Sequence, residues 1–255
     1  MPYLWENVKL MDTYNTNTVD GTEPSVAQLA IEIPGALAVF TKYNIDYCCG
    51  GHRGLTEACH RVGLDPEKVF AEIQERTPSE KEALRPETWS SVFLADFIIE
   101  NHHTFVRNAS PELEALLDRV CDRHGFDNPD LLKIRECFLT LSQELASHME
   151  KEESFLFPAI KRLEAQQSAD NPMERMIQTP ILAMEDEHQS AGDLIKGIRV
   201  LTDNYSAPEH ACNTFRITYQ KLREFDNDLM QHIHLENNIL FARFKKPVAP
   251  LSCSI

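Results

Sequence analysis

The stretch LSQELASHMEKEESF, residues 141–155, decides the fold class. Leu141, Leu145, His148, Glu152 and Phe155 recur along it at intervals of 4, 3, 4 and 3. A stripe of that period is the inward face of an amphipathic helix, so a histidine and a glutamate stand at positions that ought to be core. The same interruption recurs in LREFDNDLMQHIHLENNI, residues 222–239, where Leu222, Phe225, Leu229, His232, Glu236 and Ile239 form one seam. Working outward, Ile181, Met184, His188, Ala191 and Ile195 place His188 in a third seam. Trp89, Val92, Asp96, Ile99, His103 and Val106 place His103 in a fourth. Four long helical patterns result: about 89–107, extended or broken at Ser110-Pro111, then 129–165, 180–203 and 208–245. With no alternating apolar pattern between hairpin turns, they predict an all-α protein built on an up-down four-helix bundle.

Two carboxylates and four imidazoles cannot be buried without partners, because each unpaired group costs several kcal/mol. Residues four apart lie on one helix face, so His148 with Glu152, and His232 with Glu236, can each converge on a metal, with carboxylates available to bridge. Four histidines and two glutamates suit two metal ions. Mixed nitrogen and oxygen donors favour iron, with manganese or zinc as alternatives. The competing explanation is a buried polar network, and two repeats of His-x-x-x-Glu in register with their own seams weigh against it. His102 points about 100° away from its neighbour on a helix, and the seam selects His103. Glu144 and Glu187 can border the site as hydrogen-bonding or proton-relay groups, or else stand solvated or ion-paired. His124, His210 and His234 fall off the seams and are expected at the surface.

Ahead of the bundle, Ser25 caps a first short helix and Pro34 opens a second. Leu55 to Val62 and a helix entered through Asp65-Pro66-Glu67 complete a small helical domain over 25–76. Residues 1–24 read as a tail, the Pro-containing TPSEKEALRPET at 77–88 as a linker, 89–245 as the bundle, and 246–255 as a C-terminal tail. Within the small domain, Cys48-Cys49-Gly50-Gly51 marks a turn where vicinal thiols lie close to a helix start that would lower their pKa. Cys48 and Cys49 are therefore candidates for thiol chemistry, or else fill a small core. The spacing of Cys48, Cys49, His52 and Cys59 matches no CxxC zinc pattern.

Composition narrows the function classes. Twenty-five Lys and Arg against forty Asp and Glu give a net charge of −15, the wrong sign for binding a nucleic-acid backbone or an anionic membrane surface. No secretory signal or membrane span is visible, and seven scattered cysteines fit a reducing, cytoplasmic setting.

The motifs DYCCGGHRGL, NHHTFVR, ELASHMEKEESFLFP, MEDEHQSAG and DLMQHIHLENNILF, in that order over residues 25–244, resemble the iron-sulfur cluster repair proteins, also called repair of iron centres. These join a short CCGG domain to a hemerythrin-like di-iron bundle. The resemblance implies two non-haem irons, carboxylate- and oxo-bridged, with ligands at His103, His148, Glu152, His188, His232 and Glu236 and bridging by Glu152 and Glu236. It implies a role for Cys48 and Cys49 in thiol chemistry or dimer contacts. It further implies repair of clusters damaged by nitric oxide or oxidants, through iron donation, nitric oxide binding and reduction, or both. The partners would be iron-sulfur proteins with damaged clusters and a small diatomic ligand, and a homodimer is compatible with the acidic surface. The alternative is a hemerythrin-like module that binds or senses dioxygen or nitric oxide, with nitric oxide reductase as the enzymatic form.

Overall fold

The computed structural model describes residues 23–76, 84–166 and 175–245. Of the segments read as tails and linker, residues 1–22, 77–83 and 246–255 lie outside the described residues. The chain divides into two compact units, one within 1–89 together with Asn227–His234, the other spanning Ser90–Asp226 and continuing from Leu235. All regular elements among the described residues are helical.

Among the described residues of its N-terminal part, the first unit holds four short α-helices. α1 (Val26–Glu32) starts at Ser25, whose side chain accepts a hydrogen bond from the Gln28 amide at 3.2 Å. α2 (Ala36–Lys42) is entered through Gly35 at φ 92°, a left-handed conformation suited to glycine, so Pro34 falls before the cap instead of opening the helix. α3 (Leu55–Arg61) follows the cysteine turn, and α4 (Pro66–Glu75) has Asp65 accepting from the Glu67 amide, with Pro66 at the first helical position. Val26, Leu29, Phe40, Leu55 and Ile73 form its core. The turn 48–53 is tied down because the Ala27 and Val26 amides donate to the Gly51 and Arg53 carbonyls, each at 2.8 Å. A Cβ on Gly51 would meet the Tyr47 carbonyl oxygen at 2.5 Å, which requires glycine there.

Most of the helical bundle lies in the second unit. Its first helix comprises α5 (Ser91–Phe97), a π-turn at Ile98–His103 and α6 (Thr104–His124). The second comprises α7 (Asp130–Lys151), a π-turn at Glu152–Leu156 and α8 (Phe157–Gln166). The third is α9 (Gln178–Leu201), and the fourth is α10 (Asn213–His234), running directly into a π-turn at Leu235–Leu240. α7 packs against both α6 and α9. Leu117, Ile134, Phe138, Leu141, Ile181, Ile195, Leu222 and Phe225 fill the interior. The start of α5 is closed by Ser90, which accepts from the Phe93 amide, and by the Glu164 carboxylate, which accepts from the amides of Ser91 and Val92. Pro111 lies inside α6 without breaking it, since Val106, Leu113 and Leu117 bury apolar side chains on both sides of the lost backbone bond.

Three expected seam positions are corrected by the π-turns. Phe155 is 51% exposed and Leu156 takes the buried place. In the first helix Val92 and Asp96 face outward, and Leu94, Ala95 and Ile98 are buried ahead of His103. A π-turn takes in one more residue than an α-turn, so the inward stripe jumps in phase where the turn occurs. Asp96 instead pairs with Lys161.

Beyond the end of α9, Asp203, Asn204 and Tyr205 all have positive φ. That reversal brings the Tyr205 hydroxyl onto Asp226, to which it donates at 2.8 Å, while Arg199 grips the same carboxylate with two bonds of 2.6 Å.

Candidate metal centre

Each π-turn carries one of the polar residues that the seams contain: His103 closes the first, Glu152 opens the second and Glu236 lies in the third. Together with His148, His188 and His232 they fall into two sets. In one, His103, Glu152, His232 and Glu236 offer donor atoms within 4.8 Å of one another; in the other, His148, Glu152, His188 and Glu236 do so. Both carboxylates belong to both sets. All six side chains are buried.

The spacings are those of ligands around an ion. His103 Nε2 and His148 Nε2 each lie 3.3 Å from Glu152 Oε2, and His188 Nε2 lies 3.0 Å from Glu236 Oε2 and 3.0 Å from His148 Nε2. Donors about 2.1 Å from one metal sit about 3.0–3.4 Å apart when their bonds to it meet at right or tetrahedral angles. Both oxygens of Glu152 are fully buried, yet neither makes a well-directed hydrogen bond. A carboxylate stripped of water in this way needs a cation, so the residues fit a metal. Burial alone would lower the imidazole of His103, but the carboxylates of Glu152 and Glu236 outweigh it and push it up to about 10. His148 is raised to about 9 against the same burial, chiefly by Glu152.

The far side of three of the rings is also held. His103 Nδ1 lies 2.6 Å from Glu153, which also takes Arg107; His148 Nδ1 lies 3.0 Å from Glu187, which also takes Lys151; His188 Nδ1 lies 2.7 Å from the Asn237 side-chain oxygen. Such contacts fix the tautomer, leaving Nε2 to face the metal. The helices that supply Glu152 and Glu236 do this in parallel. Phe157 stacks on His103 at 5.8 Å and Phe241 stacks on His188 at 6.1 Å. His148, Glu152, Glu153, Leu156 and Phe157 thus correspond in spacing to His232, Glu236, Asn237, Leu240 and Phe241. Sequence reasoning noticed only the first two members of this repeat. Aligning the two stretches in full would have singled out Glu153 and Asn237. Asn237→Ala is expected to weaken metal binding about 10- to 100-fold without unfolding the chain. Competition with a chromophoric chelator measures this, and unchanged affinity would reduce Asn237 to a packing residue.

Residues 94–244 match the family model described as the hemerythrin HHE cation binding domain, and residues 22–77 match one described as a domain of unknown function, DUF542. The iron-sulfur cluster repair protein YtfE of Shigella boydii serotype 4 (strain Sb227) is 41% identical over 224 residues, covering 86% of this chain and 94% of that protein. Its counterparts in Citrobacter koseri (strain ATCC BAA-895 / CDC 4225-83 / SGSC4696) and Escherichia coli O17:K52:H18 (strain UMN026 / ExPEC) are each 40% identical over the same shares. The chain belongs to the iron-sulfur cluster repair family.

In this member of the iron-sulfur cluster repair family, the remaining candidates are placed as follows. His102 is buried edge-on to Phe97 at 5.9 Å, and it is His103 that joins the donor set. Glu144 is exposed and lines, with His148, Lys151, Glu187 and His188, a cavity of about 250 Å³. Glu187 lines that cavity beside His148, and its carboxyl is held below the usual range, with Lys151 and His148 outweighing its burial. His124 is half-buried and His210 exposed, but the expectation of a surface His234 fails. His234 is buried edge-on to Tyr47, at 5.5 Å between ring centroids, and burial pulls its pKa down to about 4.

The surroundings of Cys48 do not favour its expected activation. α3 begins only at Leu55, so no helix start addresses Cys48. Hydrogen bonding to Cys49 and burial hold the Cys48 thiol well above the usual range, and burial pushes Cys59 up to about 11. At neutral pH, iodoacetamide is expected to modify the exposed Cys212 first and Cys48 at least tenfold more slowly, because the thiolate is the nucleophile. Peptide mass spectrometry over time reads this, and equal rates would contradict the environment described for Cys48.

Proposed function

We propose that this chain repairs iron-sulfur clusters damaged by nitrosative or oxidative stress, in the cytoplasm, using two iron ions held by the two donor sets. The observation that carries this reading is the sharing of Glu152 and Glu236 between the sets, the arrangement expected of a carboxylate-bridged pair. Four imidazoles and two carboxylates are donors that suit iron. His103 and His232 would hold one ion and His148 and His188 the other. When bound, the pair supplies iron for donation to a damaged cluster, or a centre at which nitric oxide is bound and reduced.

The protein's own part is positional. Glu153, Glu187 and Asn237 aim three of the imidazoles, and Phe157 and Phe241 cover two of the rings. The cavity beside His148 and His188 is large enough for a diatomic molecule and several waters, and Lys151 with Glu187 at its edge can hold a proton near His148 Nδ1. The partners are then iron-sulfur proteins carrying damaged clusters. No described helix is long and apolar enough to cross a membrane, and the net charge of −15 does not favour nucleic acid.

The test is recovery of a nitric-oxide-treated iron-sulfur enzyme on adding iron-loaded protein. Recovery is expected with the loaded wild type and at least tenfold less with His148→Ala. Equal recovery with metal-free protein would overturn the reading. The open cavity at His148 favours a second reading as a diatomic-binding module, which reversible stoichiometric dioxygen or nitric oxide binding without cluster recovery would select.

A further inference from the structure

Apart from the His and Glu sets, the first unit contains a cluster of sulfur atoms that neither the fold nor the repair reading uses. Cys48 Sγ lies 3.8 Å from Cys49 Sγ and 3.3 Å from the thioether Sδ of Met230. Neighbouring side chains on an extended strand point to opposite sides, so bringing adjacent sulfurs together requires a turn. Asp46 builds it. Its Oδ1 accepts from the Cys49 and Gly50 amides at 3.1 and 3.0 Å and from the Cys48 thiol at 3.4 Å. The two cysteines form no disulfide. Cys48 and Met230 are buried, whereas Cys49 and Asp46 are half-buried and give the cluster an open edge.

We propose that Cys48, Cys49 and Met230 form a three-sulfur site for one soft monovalent metal ion, copper(I). Thiolate and thioether donors select copper(I) over hard ions. Sulfurs about 2.3 Å from a metal in a trigonal plane stand about 4.0 Å apart, so the Cys48–Cys49 separation already fits. The Met230 contact opens by well under an ångström, within the range of a flexible thioether side chain. Zinc would ask for a fourth donor, and the nearest one, Asp46 Oδ1, is already committed to two backbone amides. On binding, copper(I) forms bonds to two thiolates and a thioether, and the two thiol protons pass to water. No electron is transferred, and the site changes from neutral to a net charge of −1.

The test uses the iron-loaded full-length protein, titrated anaerobically with copper(I) against bicinchoninate as chromophoric competitor. One copper(I) per chain is expected to leave the probe, with a sulfur-to-copper absorption band in the ultraviolet. Met230→Leu is expected to weaken binding at least tenfold and Cys49→Ser at least a hundredfold, with iron content and helical circular dichroism unchanged, and Cys212→Ser to bind as wild type. A reading that needs no substitution is labelling of Cys49 by iodoacetamide, which one equivalent of copper(I) should suppress at least tenfold. Copper left on the probe, undiminished labelling, Met230→Leu binding as tightly as wild type, or displacement by equimolar zinc(II) would each overturn the proposal. None of these results bears on the cluster-recovery test, so the two readings fail separately.

Discussion

Glu236→Gln is expected to empty both donor sets at once, taking bound iron from about two ions per chain to nearly none, whereas His188→Ala leaves the set of His103, Glu152, His232 and Glu236 with all its donors. The asymmetry follows from the shared carboxylates. A histidine serves one set, but each glutamate serves both, and an amide supplies neither the charge nor two equivalent oxygens for bridging. Stability follows metal, because an ion that binds only the folded chain stabilises it by about 4 kcal/mol when present at a thousandfold excess over its dissociation constant. Loss of both ions should therefore lower the melting temperature by roughly 10 °C for a chain of this size. Elemental analysis and thermal unfolding of the two variants, side by side, check both parts. Equal, partial iron loss in the two would mean that the carboxylates do not bridge.

Asp226→Ala should be the most destabilising single change away from the metal centre. Asp226 is almost fully buried, takes two bonds from Arg199 and one from the Tyr205 hydroxyl, and so neutralises a guanidinium whose side chain is itself only 14% exposed. Removing one partner of a buried pair costs about 3–5 kcal/mol, because the other charge stays behind without compensation. A fall in melting temperature of roughly 10 °C is expected. The double variant Arg199→Met with Asp226→Leu should recover part of it, since replacing both charges by apolar groups leaves no charge stranded and only the Tyr205 hydroxyl without its acceptor. If the double variant were no more stable than Asp226→Ala, the loss would lie in packing and not in the stranded charge.

The seams made the architecture and the six polar core residues legible because helical periodicity reports burial directly. His232, Glu236 and every seam residue of the fourth helix are buried as the spacing predicts, and so are those of α9. The errors cluster where that periodicity changes. Phe155, Val92 and Asp96 were assigned inward by counting at 3.6 residues per turn across stretches where a π-turn adds a residue. His234 was missed for a different reason. It lies off the seam of its own helix, and Tyr47, against which it packs, is distant in sequence. The cysteine turn was visible from its glycines, but the burial of Cys48 was not, since Met230, which lies against its sulfur, is distant in sequence.

The three π-turns carry a consequence for how such a centre can be altered. Because the first two each separate two stretches of α-helix that follow different screw phases, the residues before them answer to one packing problem and those after them to another. The chemical groups stand at the splice. Removing one residue from such a splice would rotate the downstream stretch by about 100° relative to the upstream one and withdraw its ligand, with no donor atom substituted. Composition and length are in this sense separate controls on the same site: substitution changes which atoms are offered, and a single-residue insertion or deletion changes where they point.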